Sequence, residues 1–137
     1  MIASLARRLL PLPVVVLLMA AAPLVDPLYL DAPASLSQKE ITTVVRKTLV
    51  QRNWILVKDS GNEIVARLDV RGHSITVRYT VDSGRRITMK YLDSVAMDYA
   101  LDRHGKPVIH RKYAGWMLNV QTALSRELQL ATLAKSN

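Results

Sequence analysis

His73, Asp93 and His110 are the side chains best suited to chemistry in this chain: two imidazoles and a carboxylate that together could shuttle a proton or polarise a bound ligand. Sequence spacing does not join them, so a small-ligand-binding or hydrolase-like site would have to be assembled by strand register. The plainer outcome of the same register is a hydrogen-bonded His73–Asp93 pair that closes one end of the core. The stronger catalytic signatures are missing, since there is no HExxH, no G-x-S-x-G, no glycine-rich phosphate loop and no cysteine. The remaining histidine, His104, stands six residues before His110 across the break Gly105-Lys106-Pro107, a poor spacing for two ligands of one metal. No metal, no cofactor and no catalytic residue is expected, and a non-enzymatic role is preferred.

Charge offers a second candidate. Lysine and arginine number 19 against 11 acidic residues, a formal net charge of +8. Such a surface attracts anionic partners, although in a small domain it also serves solubility. The strand pattern described below gathers Arg67, Arg78, Arg86 and Lys90 on one face, which is the candidate basic surface.

Arg7 and Arg8 stand just ahead of an unbroken apolar run from Leu9 to Val25. A short cationic region followed by such a run is what a translocase reads, so the domain beyond it is expected outside the cytoplasm, in the periplasm. There the anionic partners are lipid head groups or acidic cell-wall polymers, or another envelope protein, rather than nucleic acid. Cleavage is preferred, although Pro23 spoils the site at Ala20-Ala21-Ala22 and the next small-x-small triplet ends at Ala34. The alternative is a tether to the inner membrane through residues 9–25, a run at the lower limit for crossing a bilayer. Residues 1–34 thus read as signal or anchor plus linker, with Tyr29–Ser35, together with Pro27 and Pro33, reading as the linker. Residues 35–137 read as one domain. Without cysteine it holds no disulfide.

The elements that must position these residues follow from periodicity. Ser37-Gln38-Lys39-Glu40 is a capping box, and Ile41, Val44, Val45, Thr48 and Leu49 form one stripe of the helix it opens. Trp54–Lys58 is a first strand, with Trp54 able to face Arg67 or Ala66 depending on the loop at Asp59–Asn62. Strict alternation then runs through Ile64–Val70, Ile75–Val81 and Ile87–Tyr91. A two-residue turn at Arg71-Gly72 and a three-residue one at Asp82-Ser83-Gly84 predict three apolar rows: Leu68, Ile75, Tyr91; Ala66, Val77, Met89; Ile64, Tyr79, Ile87. The same register puts Arg67, Thr76 and Lys90 on the opposite face and brings His73 opposite Asp93. Leu92–His104 is irregular. From about His110 a second helix carries Tyr113, Trp116, Met117, Val120, Leu124 and Leu128 on one stripe. The fold class expected is α+β, a two-layer α-β-β-β-β-α arrangement in which a four-stranded antiparallel meander carries both helices on one face.

The runs Asn53-Trp54, Gly61–Leu68, Arg71–Tyr79, Ile87–Ser94 and Ile109–Trp116 together resemble a family of small bacterial envelope proteins, many of them described as lipoproteins. The resemblance covers Trp54 to Asn119. Ile87–Ser94 is similar to that family's I-x-Y-x-D-S segment and Ile109–Trp116 to its I-H-x-x-Y-x-x-W segment. It implies a bacterial envelope location and no particular activity. The chain departs from the family in lacking a lipobox cysteine, and with it the means of lipid attachment.

Overall fold

The alternating segments form the middle of a five-stranded antiparallel sheet in the computed structural model, which describes residues 21–137. Its strands are β2 (Leu28–Asp31), β3 (Ile55–Ser60), β4 (Glu63–Val70), β5 (His73–Val81) and β6 (Arg86–Val95), in the order β2-β6-β5-β4-β3. Three short strands, β1 (Ala21–Pro23), β7 (Ala100–Leu101) and β8 (Pro107–His110), make a second antiparallel sheet in the order β1-β8-β7. Helices α1 (Gln38–Gln51) and α2 (Lys112–Ser136) complete an α+β fold. The four-stranded meander is thus only part of the β structure.

One face of the large sheet supplies Ile64, Ala66, Ile75, Val77, Tyr79, Ile87 and Met89 to a single core, into which α1 sends Ile41, Val45 and Leu49 and α2 sends Met117, Val120 and Leu124. The capping box forms as expected: the Glu40 amide donates to Ser37 Oγ at 3.1 Å and the Ser37 amide to Glu40 Oε1 at 2.9 Å. Trp54 turns inward and meets the Tyr79 ring edge to face at 5.7 Å. The β3–β4 loop is only Gly61-Asn62, because a bulge at Val57 takes up the extra residue.

Register is as expected across β4 and β5, where Leu68 faces Ile75, Ala66 faces Val77 and Ile64 faces Tyr79. Arg71 and Gly72 both have positive φ, the backbone of a type I′ turn. Across β5 and β6 the register moves by two. Val77 faces Tyr91, Tyr79 faces Met89 and Val81 faces Ile87. The cause is the turn: Arg85, not Gly84, takes the left-handed conformation, and the Arg85 amide closes the loop onto Asp82. An even shift preserves which face each side chain occupies, so the core survives while its rows change. Beyond Val77 a bulge adds one residue to β6 and brings Thr76 opposite Asp93.

The stretch expected to be a linker is structured. Leu28 faces Met89 and Leu30 faces Ile87 at the edge of the main sheet, and both pack against the core. Leu28-Tyr29-Leu30-Asp31 is itself a short alternation, and Pro27 and Pro33 bracket an edge strand without interrupting it. The end of the apolar run is also part of the fold, since Ala21–Pro23 pairs with Val108–His110. The remainder of the expected signal or anchor, up to residue 20, lies outside the described residues. Among the described residues no helix is long and apolar enough to cross a membrane.

Candidate functional site

His73 opens β5 beside the Arg71-Gly72 turn, and its Nδ1 donates to the Ala96 carbonyl at 2.7 Å. His110 ends β8, where its backbone amide is held by Met97 O at 2.7 Å. Its Nδ1 accepts from the Lys112 amide at 3.1 Å and so serves the first turn of α2 as a cap. The two rings lie 5.8 Å apart between centroids, with Trp116 at 6.5 Å from His73. Two of the three expected polar residues therefore meet.

The third does not. Asp93 pairs with Thr76 across the strands, is exposed, and spends its Oδ1 on the Ser94 amide at 2.8 Å. The two-residue register shift and the one-residue β6 bulge together move Asp93 three positions along β5, and the expected His73–Asp93 row is not formed. The position opposite His73 is taken by the loop after β6, whose Ala96 carbonyl replaces the carboxylate.

These bonds constrain the chemistry. A carbonyl can only accept, so His73 keeps a proton on Nδ1; an amide can only donate, so His110 keeps none there and carries it on Nε2. A metal bound through Nε2 of His110 would need that same nitrogen stripped of its proton. Among the described residues no group of three His, Cys, Asp or Glu side chains has a metal-binding arrangement. His104 lies apart, in the β7–β8 turn, with its amide on Asp102.

A neighbouring cluster escapes sequence reading because it uses Asp26, from the stretch expected to be leader. Asp26 Oδ1 accepts from the Tyr91 amide at 2.7 Å and Oδ2 from Lys90 Nζ at 3.1 Å. Tyr91 stacks on Tyr99 at 5.1 Å and meets Tyr113 edge to face at 5.9 Å. Burial, reinforced by the negative charge of Asp26, pushes the Tyr113 phenol far above its ordinary range, and burial likewise raises Tyr91. Both stay protonated near neutral pH and offer no phenolate base.

Each cation of the basic face has a carboxylate beside it. Arg67 pairs with Asp69 at 3.0 Å, Arg78 with Glu63 at 3.6 Å, Arg86 with Asp31 at 2.9 Å and Lys90 with Asp26 at 3.1 Å. Asp26 and Asp31 are the carboxylates that a removed leader would take away, so the face looks basic only when those residues are discounted. By contrast Arg71, Arg103, Lys106, Arg111 and Lys112 make no ion pair among the described residues, as is also true of Lys39, Lys47, Arg52, Arg85 and Arg126 elsewhere on the surface. Arg71, Arg111 and Lys112 surround the His73–His110 end; Arg103 and Lys106 sit in the β7–β8 turn, one short strand of roughly 13 Å away.

Beside this end lies a groove of about 320 Å³, lined by Ala22, Pro23, Val25, Leu28, Ile109, His110, Arg111, Tyr113, Ala114, Leu118 and Gln121. It joins β1, β8 and the first turns of α2, and its walls are predominantly apolar. Comparison with protein-family models, curated proteins and solved structures gives no match to this chain.

Proposed function

We propose that this chain is a bacterial cell-envelope protein, exported by its N-terminal segment, that acts as a non-enzymatic module on an anionic lipid or cell-wall surface. The observation that carries the reading is the uneven placement of cations. Those on the outer sheet face are paired with carboxylates, whereas five cations gather unpaired around the β4–β5 turn, the β7–β8 turn and the start of α2, the other unpaired cations among the described residues, Lys39, Lys47, Arg52, Arg85 and Arg126, being spread over α1 and its end, the β5–β6 turn and the middle of α2. Unmatched charge on one end of a small domain steers it toward a surface of opposite sign.

The envelope address rests on sequence. Once Ala21–Pro23 is counted with the fold, the apolar stretch behind Arg7 and Arg8 is Leu9–Ala20. Its 12 residues suit the apolar core of a signal peptide or an interfacial segment and fall short of a span. The resemblance of Ile87–Ser94 and Ile109–Trp116 to the envelope family supports the same address. A second reading, a small-ligand site at this end, draws on the His73, His110 and Trp116 juxtaposition but is without the Asp93 carboxylate, which pairs across from Thr76.

Co-sedimentation of the full chain with acidic and neutral vesicles tests the proposal. Arg7 and Arg8 beside the apolar segment also favour acidic lipid, so the cations of the folded domain are read from variants that keep both. Acidic vesicles are expected to retain more protein at low salt, with the excess falling steeply toward physiological ionic strength. Arg111→Gln with Lys112→Gln should remove much of the excess; Arg67→Gln with Lys90→Gln, an equal change in charge, should leave most of it. Equal retention on both lipids, or equal losses in the two double variants, would refute the reading.

A further inference from the structure

We propose that the groove between β1, β8 and α2 receives an acyl chain of an anionic membrane lipid, with Arg111 and Lys112 holding its headgroup. The proposal rests on the reading of the chain as a module for an anionic surface, and it adds a specific apolar contact to that electrostatic one. At about 320 Å³ the groove falls within the size range of small-ligand sites, and such sites share its construction, an apolar wall with few polar groups. Ala22, Pro23, Val25, Leu28, Ile109 and Leu118 supply that wall.

Its cations sit together at the β8–α2 junction, where Arg111 lines the groove and Lys112 follows it. Neither is ion-paired among the described residues, and the carboxylate of Asp26 is already engaged by Lys90. An amphiphile with a long apolar tail and a negative head matches this division. A neutral apolar ligand would leave the cations unanswered.

Two further features point to a lipid layer as the source. Val25 and Leu118 flank the groove at 65% and 61% exposure, so its apolar lining continues outward onto the surface. Leu9–Ala20 leads directly into β1, and Ala22 and Pro23 are themselves groove residues. While that segment remains attached, the groove stays within roughly 10 Å of chain from its end.

The chain has no cysteine, so Leu118→Cys or Leu133→Cys places one environment-sensitive fluorophore uniquely in the full-length protein. Both positions are exposed, at 61% and 62%, and lie about 22 Å apart along α2. On vesicles of anionic phospholipid the Leu118 probe is expected to shift to the blue and the Leu133 probe to stay near its aqueous emission. Val25→Asp with Leu118→Asp is expected to lower the affinity for those vesicles at high salt on the order of tenfold, with the unfolding midpoint unchanged.

A Leu118 probe that stays aqueous on bound protein, or an unchanged affinity in the double variant, overturns the groove while leaving the electrostatic reading standing. A Leu118 probe already blue-shifted without lipid assigns the groove to Leu9–Ala20 or to a second copy, and likewise overturns it. Failure of the unaltered chain to prefer anionic over neutral vesicles overturns both.

Discussion

Tyr79 is the residue whose environment contradicts its chemistry. It is 1% exposed, its ring packs against Trp54, and its hydroxyl has no hydrogen-bond partner. Removing a hydroxyl from water without compensation costs about 1–3 kcal/mol, while the ring alone is well suited to its site. Tyr79→Phe is therefore expected to leave stability unchanged or raise it by about 1 kcal/mol in urea unfolding. A loss of that size would mean that a buried water serves the hydroxyl. At this scale the sequence was readable in part. Alternation placed Tyr79 inside because the pleat has period two, but no pattern of residue types reveals whether a buried hydroxyl finds a partner. His73 and His110 meet through the loop after β6 and the start of α2, two junctions that periodicity does not describe, and Asp93 lies three positions from its expected partner, two from the β5–β6 turn and one from the residue added in β6.

Among the elements, α1 and α2 are joined at their opposite ends by Lys135, which donates to Glu40 Oε1 and to the Ser35 carbonyl, each at 2.8 Å. The Lys135 ammonium first, and the Ser37 amide and hydroxyl after it, draw the Glu40 carboxyl down to about 2. A carboxyl lowered by folding contributes stability that is present above its unfolded value near 4.3 and is lost as pH falls through the folded one. Unfolding followed between about pH 5 and 2 should show this loss, and Glu40→Gln should flatten it. An identical profile in the variant would remove Glu40 from the account. The exposure of both side chains keeps the effect small. The same helix start was fully legible, because a capping box satisfies backbone donors within four residues and needs no tertiary partner. The β5–β6 turn was not: a three-residue turn at Asp82-Ser83-Gly84 was expected, yet Arg85 joins the loop in the left-handed conformation, its side chain donating to the Leu36 carbonyl at 2.9 Å and its carbonyl accepting from the Ala32 amide at 3.0 Å. Contacts from a distant connection decide a conformation that local propensity assigns to the neighbouring glycine.

At the scale of the whole molecule the decisive stretch is Ala21–Ala34, which looks like leader and linker in sequence and in the structure closes one edge of the fold. Without it β6 becomes an edge, with Ile87 and Met89, fully buried in the intact chain, losing Leu28 and Leu30 as neighbours. Lys90 and Arg86 lose Asp26 and Asp31 at the same time. Two half-buried leucines are worth about 3 kcal/mol together, a large share of the roughly 5–15 kcal/mol that holds a domain folded. The exposed edge would also present free backbone donors and acceptors to other chains. A chain beginning at Ser35 is therefore expected to unfold at lower urea and to associate in size-exclusion chromatography, whereas one beginning at Ala21 should match the folded part of the full-length protein in both measurements. Equal stability of the two would return Ala21–Ala34 to the status of a linker. Processing after Ala34 would produce the weaker species, so any cleavage of this chain is expected ahead of β1, and the N-terminal residue of protein isolated from its native cells will distinguish the two positions.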